Sequence, residues 1–295
     1  VRPTRGRLRR DVALARHTTW RVGGPADRLF QPADVEDLAG FLRTLPAAEP
    51  LHWLGFGSNV LVPDQGLRGT VILLHPGCAG IDTGPGGRLR VQAGAACARV
   101  ARVAARAGLV GAEFLAGIPG TMGGALAMNA GAYGGETWDL VTEVETIDRQ
   151  GRIRCRRRSE FETGYRSVSV EPGQWFLGAV LTLSAGDADA AVERMRGLLE
   201  QRAASQPIGR PSCGSVFRNP PGAHAAVLIE QAGLKGHRIG GAVVSTKHAN
   251  FIINAGGATA LDIARLIAEV QARVQRQSGV LLQPECRFPG VGVVS

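Results

Sequence analysis

The stretch Gly117-Ile118-Pro119-Gly120-Thr121-Met122-Gly123-Gly124-Ala125, followed by Asn129-Ala130-Gly131-Ala132-Tyr133-Gly134-Gly135, decides how the chain is read. Each glycine inside a helix or strand costs about 0.5–1 kcal/mol relative to alanine, because it surrenders more backbone freedom on folding. A folded chain keeps such a run where backbone must pack closely against itself or against a ligand. No Gly-Lys-Ser/Thr follows, so this is not a Walker phosphate loop. A second glycine loop lies upstream, Gly55-Phe56-Gly57-Ser58-Asn59-Val60. It starts like a dinucleotide fingerprint, but the third glycine is missing and residues 60–62 read as strand, so the Rossmann context fails. A tight turn remains, whose N–H groups can approach an anion; taken alone, a plain glycine turn explains it as well. Two such loops in one chain point to a bulky ligand that carries phosphate.

Working outward, Asp34 reads as the cap of a helix with Val35, Leu38, Phe41, Leu42 and Leu45 at helical spacing, stopped by Pro46. Strands are predicted at 51–54, 60–62, 70–74 and 89–93, then an Ala-rich helix over 95–107 that ends at Gly108. Further strands fall at 141–147 and 175–183, with a basic hairpin at 152–158 between them. Asp189 opens a helix with Val192, Met195, Leu198 and Leu199 on one face. Residues 203–211, which hold two prolines, read as a linker. Short strands at 216–217, 242–245 and 251–253 follow, then a helix capped by Thr259 and closed by Gly279, then a strand at 285–288. Helices and strands mix without regular β-α alternation, so the fold class is α+β rather than a doubly wound sheet.

Composition narrows the classes. The 295 residues are 44% apolar and 20% charged, enough for a sizeable core and unlike a disordered chain. No apolar run approaches the roughly 18 residues of a membrane span. The N-terminal stretch to Asp11 carries five arginines and no following apolar segment, so it does not read as a secretory signal. The reading is a soluble protein of a reducing, intracellular compartment: the five cysteines form no C-x-x-C, and no H-E-x-x-H pair suggests a metal. The net charge of +9 raises nucleic acid as a partner. Aromatics are only 5%, however, and do not interleave with arginines as a base-stacking platform would. The 152–158 cluster reads as a solvated face, and small anionic ligands explain the surplus equally well.

The order of motifs then becomes specific. After the two glycine loops come Gly164-Tyr165-Arg166-Ser167 and Gly214-Ser215-Val216-Phe217-Arg218-Asn219-Pro220. Ala232-Gly233-Leu234-Lys235-Gly236, His248-Ala249-Asn250-Phe251 and Pro284-Glu285-Cys286-Arg287 complete the series. The series resembles the UDP-N-acetylenolpyruvoylglucosamine reductase family (UDP-N-acetylmuramate dehydrogenases) over residues 18–290, in the branch lacking an extra tyrosine-bearing loop. The resemblance implies an FAD-binding fold of the vanillyl-alcohol-oxidase type. Its two α+β lobes would span residues 1–74 and 75–186, and an α+β substrate lobe would span 187–295. It implies FAD and NADPH as cofactors, a UDP-linked enolpyruvyl ether as substrate, and a cytoplasmic monomer without nucleic-acid or membrane partners.

By the same resemblance, Gly55, Gly57, Ser58, Asn59 and Val60 face the FAD diphosphate. Ile118, Pro119, Gly120, Gly123, Gly124, Asn129 and Gly131 line the flavin and its ribityl chain. Hydride chemistry needs a cofactor, because no side chain carries hydride. Charge then builds on the enolpyruvyl carboxylate, which calls for fixed donors and a nearby acid. Arg166 suits the first role, since a guanidinium grips a carboxylate bidentately and stays charged. Glu285, protonated or bridged by water, is implied as a second polariser; a strand-end salt bridge with Arg287 is its plainer reading. Ser215 is implied as proton donor, an odd acid that works only toward a strongly basic enolate. Read without the family it is a turn serine.

Tyr165, Arg218 and Asn219 are carried over for the UDP diphosphate. The sequence departs from the pattern at Ser205, where a lysine is expected before Gln206-Pro207, and Arg210 or Arg218 are the candidate substitutes. Lys247 and His248 are further candidates for phosphate contacts, although a solvated loop is their plainer role. An FAD-dependent oxidase of an alcohol or sugar is the alternative within the same fold. It is weakened by the lack of a histidine or cysteine in a covalent-flavin loop.

Overall fold

The structure is a computed structural model that describes residues 4–290; the ends of the first and third expected lobes lie outside the described residues. In chain order, strands β1 (Arg7–Ala13) and β2 (Pro25–Gln31) precede helix α1 (Val35–Thr44), β3 (Leu51–Leu54) and β4 (Leu67–Leu73). Next come β5 (Ile81–Thr83), β6 (Arg88–Gln92), α2 (Cys97–Arg106), β7 (Leu109–Val110) and α3 (Met122–Met128). The second glycine segment continues as a small hairpin, β8 (Gly131–Ala132) with β9 (Gly135–Glu136). Strands β10 (Val141–Asp148) and β11 (Ile153–Arg157), the hairpin β12 (Thr163–Gly164) and β13 (Ser167–Val168), β14 (Gln174–Thr182) and β15 (Ser184–Ala185) follow. The chain ends with α4 (Ala188–Ser205), α5 (Ala225–Gln231), the strands β16 (Arg238–Ile239), β17 (Ala242–Val244) and β18 (Ile252–Asn254), and α6 (Ala260–Ser278). The α+β expectation holds.

The chain forms two compact units, neither contiguous in sequence. The first collects Val1–Arg9, Leu29–Gly55 and Val71–Gln201; the second collects Arg10–Arg28, Phe56–Thr70 and Arg202–Ser295. The expected lobes, 1–74, 75–186 and 187–295, divide the chain in a different, contiguous way. A four-stranded sheet runs β1-β2-β4-β3.

In the first unit, a five-stranded antiparallel sheet runs β11-β10-β14-β6-β5. Its inner side chains (Leu89, Val91, Val144, Ala179 and Leu181) pack with the apolar face of α2, which presents Val100, Ala101, Ala104 and Ala105. Asp34 caps α1 by accepting from Asp37 N at 2.9 Å, and Phe30, Leu38, Leu42 and Ile72 build a second core. Asp37 is buried, yet its carboxylate accepts from the backbone N–H groups of Arg5 (2.8 Å), Gly6 (2.8 Å) and Ala33 (3.0 Å). Those three donors replace the water that burial removes.

In the second unit, the three-stranded sheet β16-β17-β18 and α6 share a core with Trp20, Phe217 and Ile229. Thr259 caps α6 in a reciprocal box with Asp262, and Gly279 closes it at φ +73° in the left-handed region that suits glycine. Asp64 adds a second cap, its carboxylate accepting from Ala260 N at 2.8 Å and Leu261 N at 2.9 Å.

Several expected elements change. Residues 60–62 form no strand: Val60 makes a lone parallel bridge to Arg287, and Pro63, which has no N–H, ends any pairing. The segments at 216–217 and 285–288 likewise reduce to single bridges, Phe217 with Pro284 and Val60 with Arg287. Helix α4 runs on to Ser205, so the linker begins after that residue. Its buried side chains are Ala191 and Met195, while Val192 and Leu199 are exposed. In the 152–158 segment residues 152–155 and 157 are exposed as expected, whereas Arg156 and Arg158 are half-buried: Arg156 lies 4.6 Å over Phe161 and Arg158 lies 5.2 Å over Trp138.

Candidate active site

The glycine run is folded as bare backbone against backbone. Thr121 pairs with Ala96, and Cys97 N donates to Gly120 O at 3.0 Å. Met122 N and Gly123 N donate to Ala95 O and Ala93 O, both at 2.8 Å. A Cβ on Gly123 would lie 3.0 Å from the Ala93 methyl, and one on Gly55 would lie 2.5 Å from Thr121 Oγ1, so both glycines pack closely against their neighbours. Gly124 differs. It is exposed, a Cβ there would meet nothing closer than 3.9 Å, and its N–H makes no hydrogen bond among the described residues. Ile118 is buried in the core, whereas Pro119 at the turn is exposed.

Asn129 ends α3 in the left-handed region, at φ +42°, with its side chain buried and bonded at both ends. Its Nδ2 donates to Glu136 Oε2 (2.7 Å) and Gly164 O (3.1 Å), and its Oδ1 accepts from Trp138 N (3.1 Å). Arg166, also left-handed at φ +54°, donates from Nη1 to Asn129 O (3.3 Å) and from Nη2 to Gly131 O (2.9 Å). A Cβ on Gly131 would lie 3.1 Å from Arg166 Nη1 and 2.5 Å from Gly135 O, so only glycine fits there. Tyr165 is exposed, and the Arg166 guanidinium lies 5.1 Å from its ring centroid. The structure thus brings Asn129, Gly131, Tyr165 and Arg166 together in the first unit.

In the second unit the Gly57 loop sits beside the segments that carry Ser215 and Glu285. Gly57 has φ +62°, and a Cβ would lie 2.1 Å from His17 O. The residue is buried, yet the N–H groups of Gly57, Ser58 and Asn59 donate to no other described residue. A buried backbone donor such as that of Gly57 is nearly always satisfied, and with the half-buried Ser58 and Asn59 after it the turn forms a nest for an anion. This is the structural test that a diphosphate passes. Asn59 Nδ2 donates to Glu285 O at 3.2 Å, Arg287 N to Asn59 O at 2.9 Å, and Glu285 N to Val216 O at 2.7 Å. Ser215, Asn59 and Glu285 are therefore neighbours along one backbone ladder. The Ser215 hydroxyl makes no hydrogen bond to another described residue. Arg218 and Glu285 both act on Arg287: burial first, then the Arg218 charge, lower its pKa, and Glu285 opposes them. Asn219 is exposed, and its Oδ1 accepts from Ala225 N at the start of α5 (3.1 Å).

Two side chains missed in the sequence support these groups. Asn250 is buried and bonds Phe217 from both ends, Oδ1 accepting from its N–H (3.0 Å) and Nδ2 donating to its carbonyl (2.8 Å). It thereby fixes the segment that begins at Ser215. Its motif, His248 to Phe251, was visible, but not its partner 33 residues away. Glu136 stands directly after the glycine run, and nothing local distinguishes it from a surface acid. Lys247, expected in a solvated loop or on a phosphate, donates from Nζ to Ala203 O at 2.6 Å.

Comparison with known proteins agrees with this geometry. Residues 26–156 match the model of an FAD binding domain, and residues 206–289 match that of the UDP-N-acetylenolpyruvoylglucosamine reductase C-terminal domain. The reductase of Alkalilimnicola ehrlichii is 58% identical over 285 residues, 97% of this chain and 95% of that one. The chain belongs to the UDP-N-acetylenolpyruvoylglucosamine reductase family. The reductase of Methylococcus capsulatus is 57% identical over 288 residues, 98% of this chain and 95% of its own. The crystal structure of the reductase from Thermus caldophilus superposes with a TM-score of 0.82 at 36% identity, covering 96% of this chain and 99% of that one. As a member of this reductase family the protein is an FAD-dependent oxidoreductase with the FAD-binding fold of the vanillyl-alcohol-oxidase type. No helix among the described residues is long and apolar enough to cross a membrane.

Proposed function

We propose that Arg166 holds the carboxylate of an enolpyruvyl ether on UDP-N-acetylglucosamine while Ser215 returns the proton that completes its reduction. The reaction of the family is the FAD-dependent conversion of that ether to UDP-N-acetylmuramate for peptidoglycan synthesis. When bound, FAD supplies the hydride, which it draws from NADPH. The carrying observation is the anchoring of Arg166. Two backbone carbonyls hold its guanidinium in a left-handed turn, so its direction is set before substrate arrives and little ordering remains at the moment of reaction.

The chain's residues then divide the work. Arg166 stabilises the carboxylate as negative charge spreads onto it from the carbon neighbouring the one that gains hydride. Ser215 protonates the neighbouring carbon from a hydroxyl that no other described residue engages. Glu285, one step along the ladder from Val216 and beside Arg287, shares a hydrogen bond with the same carboxylate. Tyr165, Arg218 and Asn219 hold the UDP diphosphate, Asn219 through its Nδ2. The N–H groups of Gly57, Ser58 and Asn59 hold the FAD diphosphate with Gly55 and Val60 flanking them. Ile118, Pro119, Gly120, Gly123, Gly124, Asn129 and Gly131 bed the rest of the cofactor. The enzyme works in the cytoplasm as a monomer.

Stopped-flow absorbance of the flavin separates the two half-reactions. Ser215→Ala leaves reduction by NADPH within twofold of wild type and slows reoxidation by the enolpyruvyl sugar at least 100-fold. Arg166→Lys, which loses the bidentate grip, slows the same half-reaction at least tenfold. Equal damage to both half-reactions by Ser215→Ala removes it from the acid role, and wild-type turnover of Arg166→Lys removes the grip.

A further inference from the structure

We infer that Glu136 is a positioning residue for Arg166, acting through Asn129; the inference rests on the carboxylate-gripping role of Arg166 proposed above. Arg166 is held by the carbonyls of Asn129 and Gly131. Where those carbonyls point depends on two things: the left-handed turn at Asn129, and the register of the hairpin in which Gly131 pairs with Glu136. Glu136 governs both. Its backbone is the cross-strand partner of Gly131, and its Oε2 takes the Asn129 amide at 2.7 Å. That amide also donates to Gly164 O at 3.1 Å, two residues before Arg166. One residue therefore bears on both acceptors: its carboxylate, through Asn129, on the turn whose carbonyl receives Nη1 and on the Gly164 carbonyl next to the arginine, and its backbone on the strand whose carbonyl receives Nη2.

The packing is tight enough to transmit a change. The Glu136 Cγ and the Arg166 Nη1 both lie against one face of Gly131, 3.2 Å and 3.1 Å from the place of an absent Cβ. Glu136 is itself held from its other side. Its backbone N–H donates to Asp139 Oδ2 at 3.1 Å, inside a reciprocal capping box over Thr137–Asp139. Two non-glycine residues of this network, Asn129 and Arg166, occupy the left-handed region, which persists only where surrounding contacts over-determine it. Removing the Glu136 acceptor leaves a buried amide hydrogen without its charged partner. Asn129 then relaxes and the guanidinium loses its preset direction. The consequence is felt by the substrate carboxylate and not by NADPH, whose half-reaction makes no use of the arginine.

The test is a double-mutant cycle on the flavin-loaded enzyme, read as affinity for UDP-N-acetylglucosamine enolpyruvate from the shift in flavin absorbance on titration. Expected results are a loss of at least tenfold for Glu136→Ala, a comparable loss for Arg166→Lys, and a double variant within twofold of Arg166→Lys alone. Glu136→Gln, whose amide oxygen still accepts from Asn129, recovers to within threefold of wild type. Losses that multiply in the double variant overturn the positioning role, as does wild-type affinity of Glu136→Ala. Wild-type affinity of Arg166→Lys with a loss in Glu136→Ala instead overturns the Arg166 reading itself, and this inference with it. Should Glu136→Ala fail to retain flavin, Glu136→Asp keeps the charge and withdraws it by one methylene. Its coupling to Arg166→Lys is then scored by the same limits.

Discussion

His248 sits where a proton would do damage. Its Nδ1 accepts from Asn250 N at 3.3 Å, so that nitrogen is the unprotonated one, and its ring packs edge-on to Phe251 at 4.9 Å. Burial is the main cause that lowers its pKa below the ordinary value, with Lys235 adding to it and Glu230 and a backbone hydrogen bond opposing. Between about 6.5 and the lower folded value, the unfolded chain takes up the proton and the folded chain does not. Stability therefore declines as pH falls through that window and is untouched above it. The urea midpoint should drop between pH 7.5 and 5.5, and His248→Gln should show a smaller drop; an unchanged drop would exclude His248 as its source. The neighbouring Asn250→Ala strips Phe217 of two buried hydrogen bonds. It should lower stability by about 2–4 kcal/mol in urea titrations while slowing the Ser215-dependent half-reaction. At this scale the sequence was uneven. Arg166, Ser215 and Glu285 could be named because each stands inside a short motif. Glu136 and Asn250 could not be assigned a role, since their meaning lies in partners on other segments.

Elements were legible in proportion to how local their determinants are. The helices α1 and α6 could be placed from Asp34, Thr259 and Gly279, because a cap acts within one turn. Asp64 could not be found that way, since it caps α6 from 196 residues away. Asp64→Ala should cost about 1–2 kcal/mol, seen as a lower urea midpoint, with the flavin content unaltered. The α4 stripe was misplaced by one residue because alanine at 191 looks weaker than valine at 192, yet the small side chain is the one that is buried. Short strands expected at 60–62 and 285–288 reduce to one bridge because Val60, Val62 and Phe288 signal extension, which a single bridge satisfies as well as a ladder. Strand β1 was overlooked because its arginines mask any alternation, and its side chains are indeed mostly exposed. The Gly57 turn makes the sharpest element-level test. Gly57→Ala places a methyl against His17 O in a left-handed residue. FAD affinity should fall at least tenfold by fluorescence titration, whereas Gly124→Ala, with open space around it, should be tolerated far better.

For the molecule as a whole, many of the arginines have structural partners. Arg88 and Arg90 pair with Glu143 and Glu145 across the five-stranded sheet, Arg194 pairs with Glu113, and Arg156 and Arg158 cover aromatic rings. Such arginines contribute packing as much as charge. The +9 net charge suits the attraction of anionic ligands such as phosphates and carboxylates. The two-unit division was the least legible feature, since it depends on segments such as Arg10–Arg28 and Phe56–Thr70 being counted with distant sequence. The buried carboxylate of Asp37 has a practical corollary for anyone trimming the polypeptide. Two of its three amide donors belong to Arg5 and Gly6, so a version beginning at Arg7 strands an anion inside the protein with Ala33 alone for company. Such a shortened enzyme should melt at a visibly lower temperature even with cofactor and substrate in excess, and Asp37→Asn in the same shortened background should recover part of the loss.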